Sequence, residues 1–286
     1  MRILRGKRAL VTGAANGIGR ALAEALAREG VDLYLLDIDE DGLARTAAAC
    51  RSVGVEVFTA HCDLTNRVRI QEVCETVRTQ WGGLDLLVNN AGVCYQGPTH
   101  QMSLTQWERM VQINLTTPVQ MVLEWLPTFM SQRSGHVLNV ASIAGLIGAS
   151  KLAGYTASKF GLVGFSESLR IECARHGVVV TTLCPGFVRT GMLHNRMKPD
   201  GSREPRQPPT WMCLTPEKVA AKAVSAIRRD RGTVVTPLFA RLAWTMHRIA
   251  PGFWPGLHRV NRWMRNIYRS VKPKPPVPAD GGRKAA

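Results

Sequence analysis

The chain has 286 residues, of which 45% are apolar and 20% charged, and its formal net charge is +16. This length suits one large α/β domain with a well-buried core. No run of 18 apolar residues occurs, so a membrane-spanning helix is not expected, and the short basic N-terminus lacks the apolar centre of a secretory signal. The seven cysteines are scattered, odd in number and without a Cys-x-x-Cys pair, which predicts reduced thiols in a cytoplasmic protein and no metal site.

The positive charge is concentrated near the C-terminus. Ten Lys and Arg residues but a single acid, Asp280, lie from Pro237 onward, so nine of the sixteen excess charges belong to this tail. A partner attracted by charge is therefore expected to meet the tail first.

The first informative segment is a glycine-rich turn, residues 12–19, between an apolar strand at 9–11 and an alanine-rich helix at 20–29. Glycine lets the backbone turn sharply and approach a ligand closely, and a helix N-terminus presents free N–H groups to an anion. Asp37 ends the next strand about twenty residues on, where a ribose diol would lie. The order strand, turn, helix and acid predicts a dinucleotide-binding site.

Further strands and helices alternate along the chain. After the first strand, strands are predicted at 31–37, 55–60, 84–88, 135–141, 178–183 and 232–236, and helices from 39, at 67–81, 105–130 and 155–176. This rhythm predicts a Rossmann-type doubly wound parallel sheet of about seven strands with helices on both faces, in one catalytic domain over residues 1–236. Pro118 and Pro127 are expected to kink or divide the 105–130 helix.

The segment 187–215 is rich in proline and polar residues and follows a strand directly. Ligands bind beyond the carboxyl ends of strands in open α/β sheets, so this segment is expected to be a substrate loop that acts as a lid. A surface loop without a role is the alternative.

A second cluster carries the chemistry. Tyr155 and Lys159 are four residues apart on a predicted helix, so both side chains lie on one face. A nearby ammonium favours the phenolate and lowers the tyrosine pKa, which would allow general acid–base catalysis near neutrality. Ser142 ends the preceding strand, where its hydroxyl could bind the same substrate oxygen.

Over residues 5–236 the chain resembles the short-chain dehydrogenase/reductase family. Residues 12–19 match its cofactor loop, residues 89–92 its Asn-Asn-Ala-Gly segment, and Pro185-Gly186 with Thr190 its nicotinamide-contacting segment. The resemblance implies four catalytic residues: Asn114, Ser142, Tyr155 and Lys159. It implies that Tyr155 exchanges a proton with the substrate oxygen while hydride passes to or from the nicotinamide. Lys159 would bind the nicotinamide ribose and lower the tyrosine pKa, Ser142 would polarise the oxygen, and Asn114 would hold a relay water.

The resemblance also implies a cofactor site, with NAD favoured over NADP. Asp37 should repel a 2′-phosphate, and Asn16 and Ile38 occupy places where NADP users of this family often carry a basic residue. Asp63 would bound the adenine pocket or, alternatively, cap the turn after its strand. The expected cofactor-binding residues are Gly13, Asn16, Gly17, Ile18, Gly19, Asp37, Asp63, Leu64, Asn90, Ala91, Gly92, Tyr155, Lys159, Pro185, Gly186, Val188 and Thr190.

The tail departs from a minimal family member. Apolar residues recur at helical spacing between basic ones and tryptophans, which predicts two short basic amphipathic helices within residues 237–270, before a proline-rich, disordered end at 271–286. Such helices suit the surface of an anionic membrane, although their apolar faces could instead pack on the domain or a second subunit. No nucleic-acid-binding motif accompanies the charge.

We therefore expect a cytoplasmic oxidoreductase, peripheral on a membrane, that acts on a lipophilic secondary alcohol or ketone of the steroid, retinoid or long-chain acyl type. The alternatives are an NADPH-dependent reductase of acyl groups on an acidic carrier protein and a non-catalytic dinucleotide-binding scaffold. The resemblance further implies a homodimer or homotetramer formed through the two long helical segments. The expected substrate-pocket residues are Ser142, Tyr155, Val93, Tyr95, Ile143, Leu152, Phe187 and Met192.

Overall fold

The computed structural model describes residues 1–193, 197–199 and 209–251. The chain divides into two units after Leu242, and each is described by itself. The larger unit contains seven parallel strands in the spatial order β3-β2-β1-β4-β5-β6-β7, which confirms the predicted Rossmann-type sheet. The strands are β1 Arg8–Thr12, β2 Asp32–Asp37, β3 Val57–His61, β4 Leu86–Asn89, β5 Gly135–Val140, β6 Val178–Pro185 and β7 Thr233–Thr236.

Helices cover both faces of this sheet. They are α1 Gly17–Arg28, α2 Glu40–Arg51, α3 Arg67–Trp81, α4 Leu104–Val111, α5 Thr117–Ser131, α6 Ala153–Cys173 and α7 Pro216–Arg228. A further helix, α8 Leu238–Ile249, begins in the larger unit and ends in the smaller one. Successive residues of β1 show the two faces: Ala9 and Val11 pack in the core with α1, α2 and α7, whereas Leu10 packs in the core with α3, α5 and α6. This alternation follows from the period of two along a strand, and it buries the strands on both sides as a parallel sheet requires.

The direction of winding reverses at β1, whose neighbours are β2 on one side and β4 on the other. The turns that leave β1 and β4 therefore separate to open a crevice at the carboxyl edge of the sheet. The glycine-rich turn follows β1 and the Asn-Asn-Ala-Gly segment follows β4, so both border this crevice.

The predicted helix at 105–130 is divided, as expected, but not at its prolines. A π-helical turn, Gln112–Thr116, separates α4 from α5. Pro118 lies in the first turn of α5, where no N–H donor is needed, and Pro127 lies within α5 without ending it. Single π-helical turns are frequent at functional sites, and this one contains Asn114.

In the predicted loop 187–215, the described residues form two short 3₁₀ turns, Gly191–Leu193 and Thr210–Met212, and the isolated bridges Tyr95–Met197 and Val188–Leu214. The remainder lies outside the described residues, and its lid role stays a prediction. The first predicted tail helix is present as α8. The second predicted helix and residues 271–286 lie outside the described part. Among the described helices, none has both the length and the apolarity needed to cross a membrane.

Candidate functional site

The glycine-rich turn forms a close cradle at the start of α1. Gly13 and Gly17 have φ angles of 66° and 56°, which glycine adopts without strain. A β-carbon at Gly19 would lie 1.9 Å from the Gly13 carbonyl oxygen, so only glycine fits there. In the described part of the chain, Asn16 makes no side-chain cap to α1, and the first turn of that helix holds no acid. The free N–H groups of the helix are therefore available to an anion.

Asn90 and Thr12 brace this cradle. The Asn90 side-chain amide donates hydrogen bonds to the carbonyl oxygens of Thr12 and Gly13 at 3.0 and 3.1 Å. In return, the Thr12 hydroxyl accepts from the backbone N–H groups of Asn90 and Ala91 at 3.0 and 3.1 Å. The Asn90 side chain is thus committed to the turn. The role of Thr12 was missed because its partners are more than 70 residues away in the chain.

Two acidic residues border the crevice beyond the cradle. The Asp37 carboxylate accepts backbone hydrogen bonds from Ala15 at 2.9 Å and from Ile38 at 2.8 Å, and so ties the glycine turn to the end of β2. Asp63 accepts from both the N–H and the hydroxyl of Thr65 at 2.9 Å. The Thr65 backbone N–H lowers the pKa of Asp63, so this residue does cap its turn. Both carboxylates stand at adjacent strand ends, since Asp37 pairs with His61 across β2 and β3.

Ser142, Tyr155 and Lys159 meet at the carboxyl end of β5. The hydroxyl of Ser142 hydrogen-bonds that of Tyr155 and accepts from the backbone N–H of Ala144 at 3.1 Å. The Lys159 ammonium lies 5.9 Å from the centroid of the Tyr155 ring and donates to the Val140 carbonyl oxygen at 2.9 Å. Lys159 is only 3% exposed. The predicted serine, tyrosine and lysine are therefore assembled in one place.

The ionisation of this group differs from our expectation in one respect. Burial raises the pKa of Tyr155, and the hydrogen bond from Ser142 only partly opposes that rise. Burial also lowers the pKa of Lys159 to about 8. The prediction that an ammonium one turn away would lower the tyrosine pKa was wrong, because burial of the phenol disfavours the phenolate and outweighs the lowering effect of the Ser142 hydrogen bond.

Asn114 joins three segments of the site. Its Oδ1 atom accepts from the Val93 N–H at 2.8 Å, and its Nδ2 atom donates to the Val93 carbonyl at 2.9 Å and to the Ser158 hydroxyl at 3.0 Å. Ser158 in turn donates to the Tyr155 carbonyl at 2.8 Å. Both amide protons of Asn114 are thus used, and only an acceptor position on Oδ1 remains. Ser158 was missed because a serine within a helix gives no sign of a long-range partner.

The space beside Gly92 connects Asn114 with Lys159. A β-carbon there would lie 3.1 Å from Asn114 Oδ1, 3.6 Å from Lys159 Nζ and 3.7 Å from the terminal methyl of Met192. Gly92 and Met192 therefore lie beside Asn114 and Lys159.

The other predicted cofactor and substrate residues differ in where their side chains lie. Thr190 lies against the glycine turn, since a β-carbon at Gly17 would be 3.2 Å from its methyl group. By contrast, the side chain of Val188 packs in the hydrophobic core. Tyr95 is 1% exposed and donates its hydroxyl to the Pro98 carbonyl at 3.2 Å, and its place in the substrate pocket stays a prediction. Val93, Ile143 and Leu152 are half-buried, and Phe187 is exposed.

Two further features bear on the chemistry. Cys184, at the end of β6, accepts a hydrogen bond from the Ser142 backbone, and burial raises the pKa of its thiol to about 12. Among the described residues, no group of three or more His, Cys, Asp and Glu side chains could hold a metal ion.

Comparisons with known proteins agree with this geometry. Residues 7–201 match the family model described as short chain dehydrogenase. Estradiol 17-beta-dehydrogenase 11 of Macaca fascicularis is 35% identical over 249 residues, which cover 86% of this chain and 80% of that protein.

Two solved structures are also similar. A short chain dehydrogenase/reductase from Burkholderia phymatum in complex with NAD has a TM-score of 0.79 and 30% identity, covering 89% of this chain and 97% of that one. A metagenomic short-chain oxidoreductase in complex with NADP has a TM-score of 0.69 and 29% identity, covering 82% and 99%.

Proposed function

The chain belongs to the short-chain dehydrogenase/reductase family and is an NAD(P)-dependent oxidoreductase acting on CH–OH groups; from that premise we propose that it interconverts a lipophilic secondary alcohol and its ketone, with NAD as the preferred coenzyme. The observation that carries the proposal is the meeting of Ser142, Tyr155 and Lys159 at the crevice that the glycine turn borders.

The residues at the crevice fit a dinucleotide. Gly13 and Gly19 approach each other so closely that no side chain fits between them, and only backbone occupies this place. The start of α1 has no side-chain cap, which suits the binding of a pyrophosphate. Asp37 would bind the adenine ribose, and Asp63 and Leu64 would bound the adenine. Gly92, Pro185, Gly186 and Thr190 would border the nicotinamide end. When bound, the nicotinamide ring supplies or accepts the hydride.

The protein's own residues perform the proton transfer. In ketone reduction the Tyr155 hydroxyl donates its proton to the carbonyl oxygen as the carbon gains hydride, and the Ser142 hydroxyl polarises the same oxygen. In alcohol oxidation the phenolate takes the alcohol proton as hydride leaves. Lys159 then stabilises the phenolate, which burial otherwise disfavours. A water in the space beside Gly92 would donate to Asn114 Oδ1 and accept from Lys159, and so begin a proton path.

Substitution of the tyrosine tests the reaction. Tyr155→Phe removes the proton donor while keeping the ring, and turnover should fall at least a thousandfold with cofactor binding retained. Tyr34→Phe is the matched control, because Tyr34 is a buried tyrosine of the core on β2. Equal turnover by Tyr155→Phe and the parent would eliminate this function.

The preference for a lipophilic substrate rests on the apolar side chains near the reacting group. Val93, Ile143, Leu152 and Met192 are half-buried at or next to the catalytic positions, and a relative is named for a steroid substrate. A panel of steroid, retinoid, long-chain and small polar alcohols and ketones should be assayed with NAD(H) and NADP(H). Turnover confined to the small polar members would contradict the proposal.

The basic tail supports a peripheral contact with an anionic membrane. Helix α8 carries exposed apolar side chains at Leu238, Leu242, Met246 and Ile249, and Arg241 and Arg248 lie on the same helix. The full chain should sediment with vesicles containing phosphatidylserine but not with pure phosphatidylcholine. Replacing Leu242 and Met246 with Asp should reduce binding, whereas Asp at the exposed Val68 of α3 should not. Equal binding to both vesicle types would contradict the electrostatic part of the proposal.

We also propose that two chains pair through α5 and α6, again because these helices carry exposed apolar side chains. Leu123 on α5 and Phe160 and Ile171 on α6 are large apolar residues that are exposed in the single chain. Exposed apolar side chains of this size are typical of a surface that a second chain covers. Light scattering after size-exclusion chromatography should give a dimer or tetramer. Phe160→Glu should lower the mass to that of a monomer, and a parent that is itself monomeric would refute the pairing.

A further inference from the structure

The segment that leaves β3 and includes the first residue of α3, residues 62–67, lies directly beside Asp37. The backbone N–H of Cys62 donates to the Asp37 carbonyl oxygen at 3.0 Å, so the segment leaves the sheet at the edge where the acid stands. Under the proposed function, a dinucleotide whose adenine ribose contacts Asp37 would place its adenine base against this segment.

Two buried side chains of α5 hold the segment. The Thr117 hydroxyl donates to the Leu64 carbonyl oxygen at 2.6 Å, and the Gln120 amide donates to the Arg67 carbonyl oxygen at 3.0 Å. Thr117 is 2% exposed and Gln120 is 8% exposed. A polar group in such a place is costly unless it is bonded. These hydrogen bonds therefore hold the segment in one position. Apolar contacts, which are not directional, would restrict its position less.

The same stretch of chain carries Asn114. Thr117 is the first residue of α5, and its backbone N–H closes the π-helical turn by bonding to the Gln112 carbonyl oxygen. Asn114, three residues earlier, holds Val93 and Ser158 at the catalytic end. One short stretch thus bonds to both ends of the crevice.

We infer that Thr117 and Gln120 are positioning residues for the adenine end of the coenzyme. They hold residues 62–67 as a preformed wall and join that wall to the turn that carries Asn114. The inference rests on the proposed function, because it needs a dinucleotide in the crevice. It concerns binding, and neither residue is assigned to the chemical step.

The test separates the two ends of the coenzyme. Thr117→Val removes the hydroxyl at nearly constant volume, and calorimetry should show ADP-ribose and NAD bound about tenfold more weakly, as expected for one lost buried hydrogen bond. The kcat/KM for reduced nicotinamide mononucleotide, which lacks the adenine, should change less than twofold. Thr117→Ser should restore binding, and Thr116→Val at the adjacent exposed position should behave as the parent. Gln120→Leu provides a second variant if Thr117→Val does not fold.

Each other outcome overturns the inference. Unchanged ADP-ribose affinity in the folded Thr117→Val or Gln120→Leu variant would show that these bonds do not shape the adenine wall. Equal losses for ADP-ribose and for the mononucleotide would show a general structural role. A parent chain that binds neither NAD nor NADP would instead refute the proposed function, and this inference with it.

Discussion

The ammonium of Lys159 lies 5.9 Å from the ring centroid of Tyr155 and is held there by a hydrogen bond of 2.9 Å to the Val140 carbonyl. The lysine is nearly fully buried, and this burial lowers its pKa to about 8. The protein thus keeps a charge in a costly position beside the reacting hydroxyl. Such groups trade stability for function.

Replacing this lysine should therefore stabilise the fold while abolishing activity. Below pH 8 both folded and unfolded chains carry the proton, and a shift from 10.5 to about 8 corresponds to as much as about 3 kcal/mol of destabilisation. Between pH 8 and 10.5 the unfolded chain binds more protons, so parent stability rises with pH. Lys159→Met should be more stable than the parent at pH 7 by urea unfolding, and this advantage should disappear by about pH 10.5.

The control for that comparison is Lys222→Met, at an exposed position on α7, which should change stability by less than about 0.5 kcal/mol. If Lys159→Met were instead less stable at pH 7, the hydrogen bond to Val140 would outweigh the cost of burying the charge.

Gly19→Ala should abolish dinucleotide binding. Its β-carbon would stand 1.9 Å from the Gly13 carbonyl oxygen, so the turn must open. Calorimetry should detect no NAD binding, and the melting temperature should fall by several degrees. Gly148→Ala is the matched control, because no atom lies within 4 Å of the added carbon. Normal NAD affinity in Gly19→Ala would show that the turn is not the binding cradle.

Asp37→Asn should change the choice of coenzyme. The amide keeps an oxygen for the backbone N–H of Ala15 or Ile38 but loses the negative charge that would repel a 2′-phosphate. The ratio of kcat/KM for NAD to that for NADP should fall at least tenfold. Asp39→Asn, which alters the residue that caps α2, should leave the ratio unchanged. A ratio unaffected by Asp37→Asn would assign the preference to other residues.

His136 should make the protein sensitive to acid. It is fully buried, its Nε2 atom lies 2.8 Å from the Thr181 hydroxyl, and burial lowers its pKa to about 3. Between pH 6.5 and 3 the unfolded chain therefore binds one more proton than the folded chain. The free energy of unfolding then falls by at most about 1.4 kcal/mol for each unit by which the pH is lowered. His136→Asn should flatten the pH dependence of urea unfolding between pH 6 and 4.

The exposed His100 provides the comparison, since His100→Asn should leave that slope as it is in the parent. An unchanged slope in His136→Asn would mean that other groups control acid unfolding.

Much of the fold and part of the site depend on local pattern, and for this reason the sequence predicted them. The apolar runs of the seven strands, the glycine turn before α1 and the four-residue spacing of Tyr155 and Lys159 all act within a few residues. Their physical basis is the short-range geometry of strands, turns and helices. Ser142 was predicted because it directly follows a strand.

Other properties were decided only by the tertiary structure, because they arise between residues distant in the chain. The bonds of Asn90 to the glycine turn, and of Thr117 to Leu64, join segments that no local pattern relates. Burial, likewise, is a property of the assembled fold. It placed the Tyr95 hydroxyl against Pro98 and raised the pKa of Tyr155 where a neighbouring charge alone predicted a fall. The residue types thus determined which chemistry is available, and packing determined their ionisation and which side chains face the crevice.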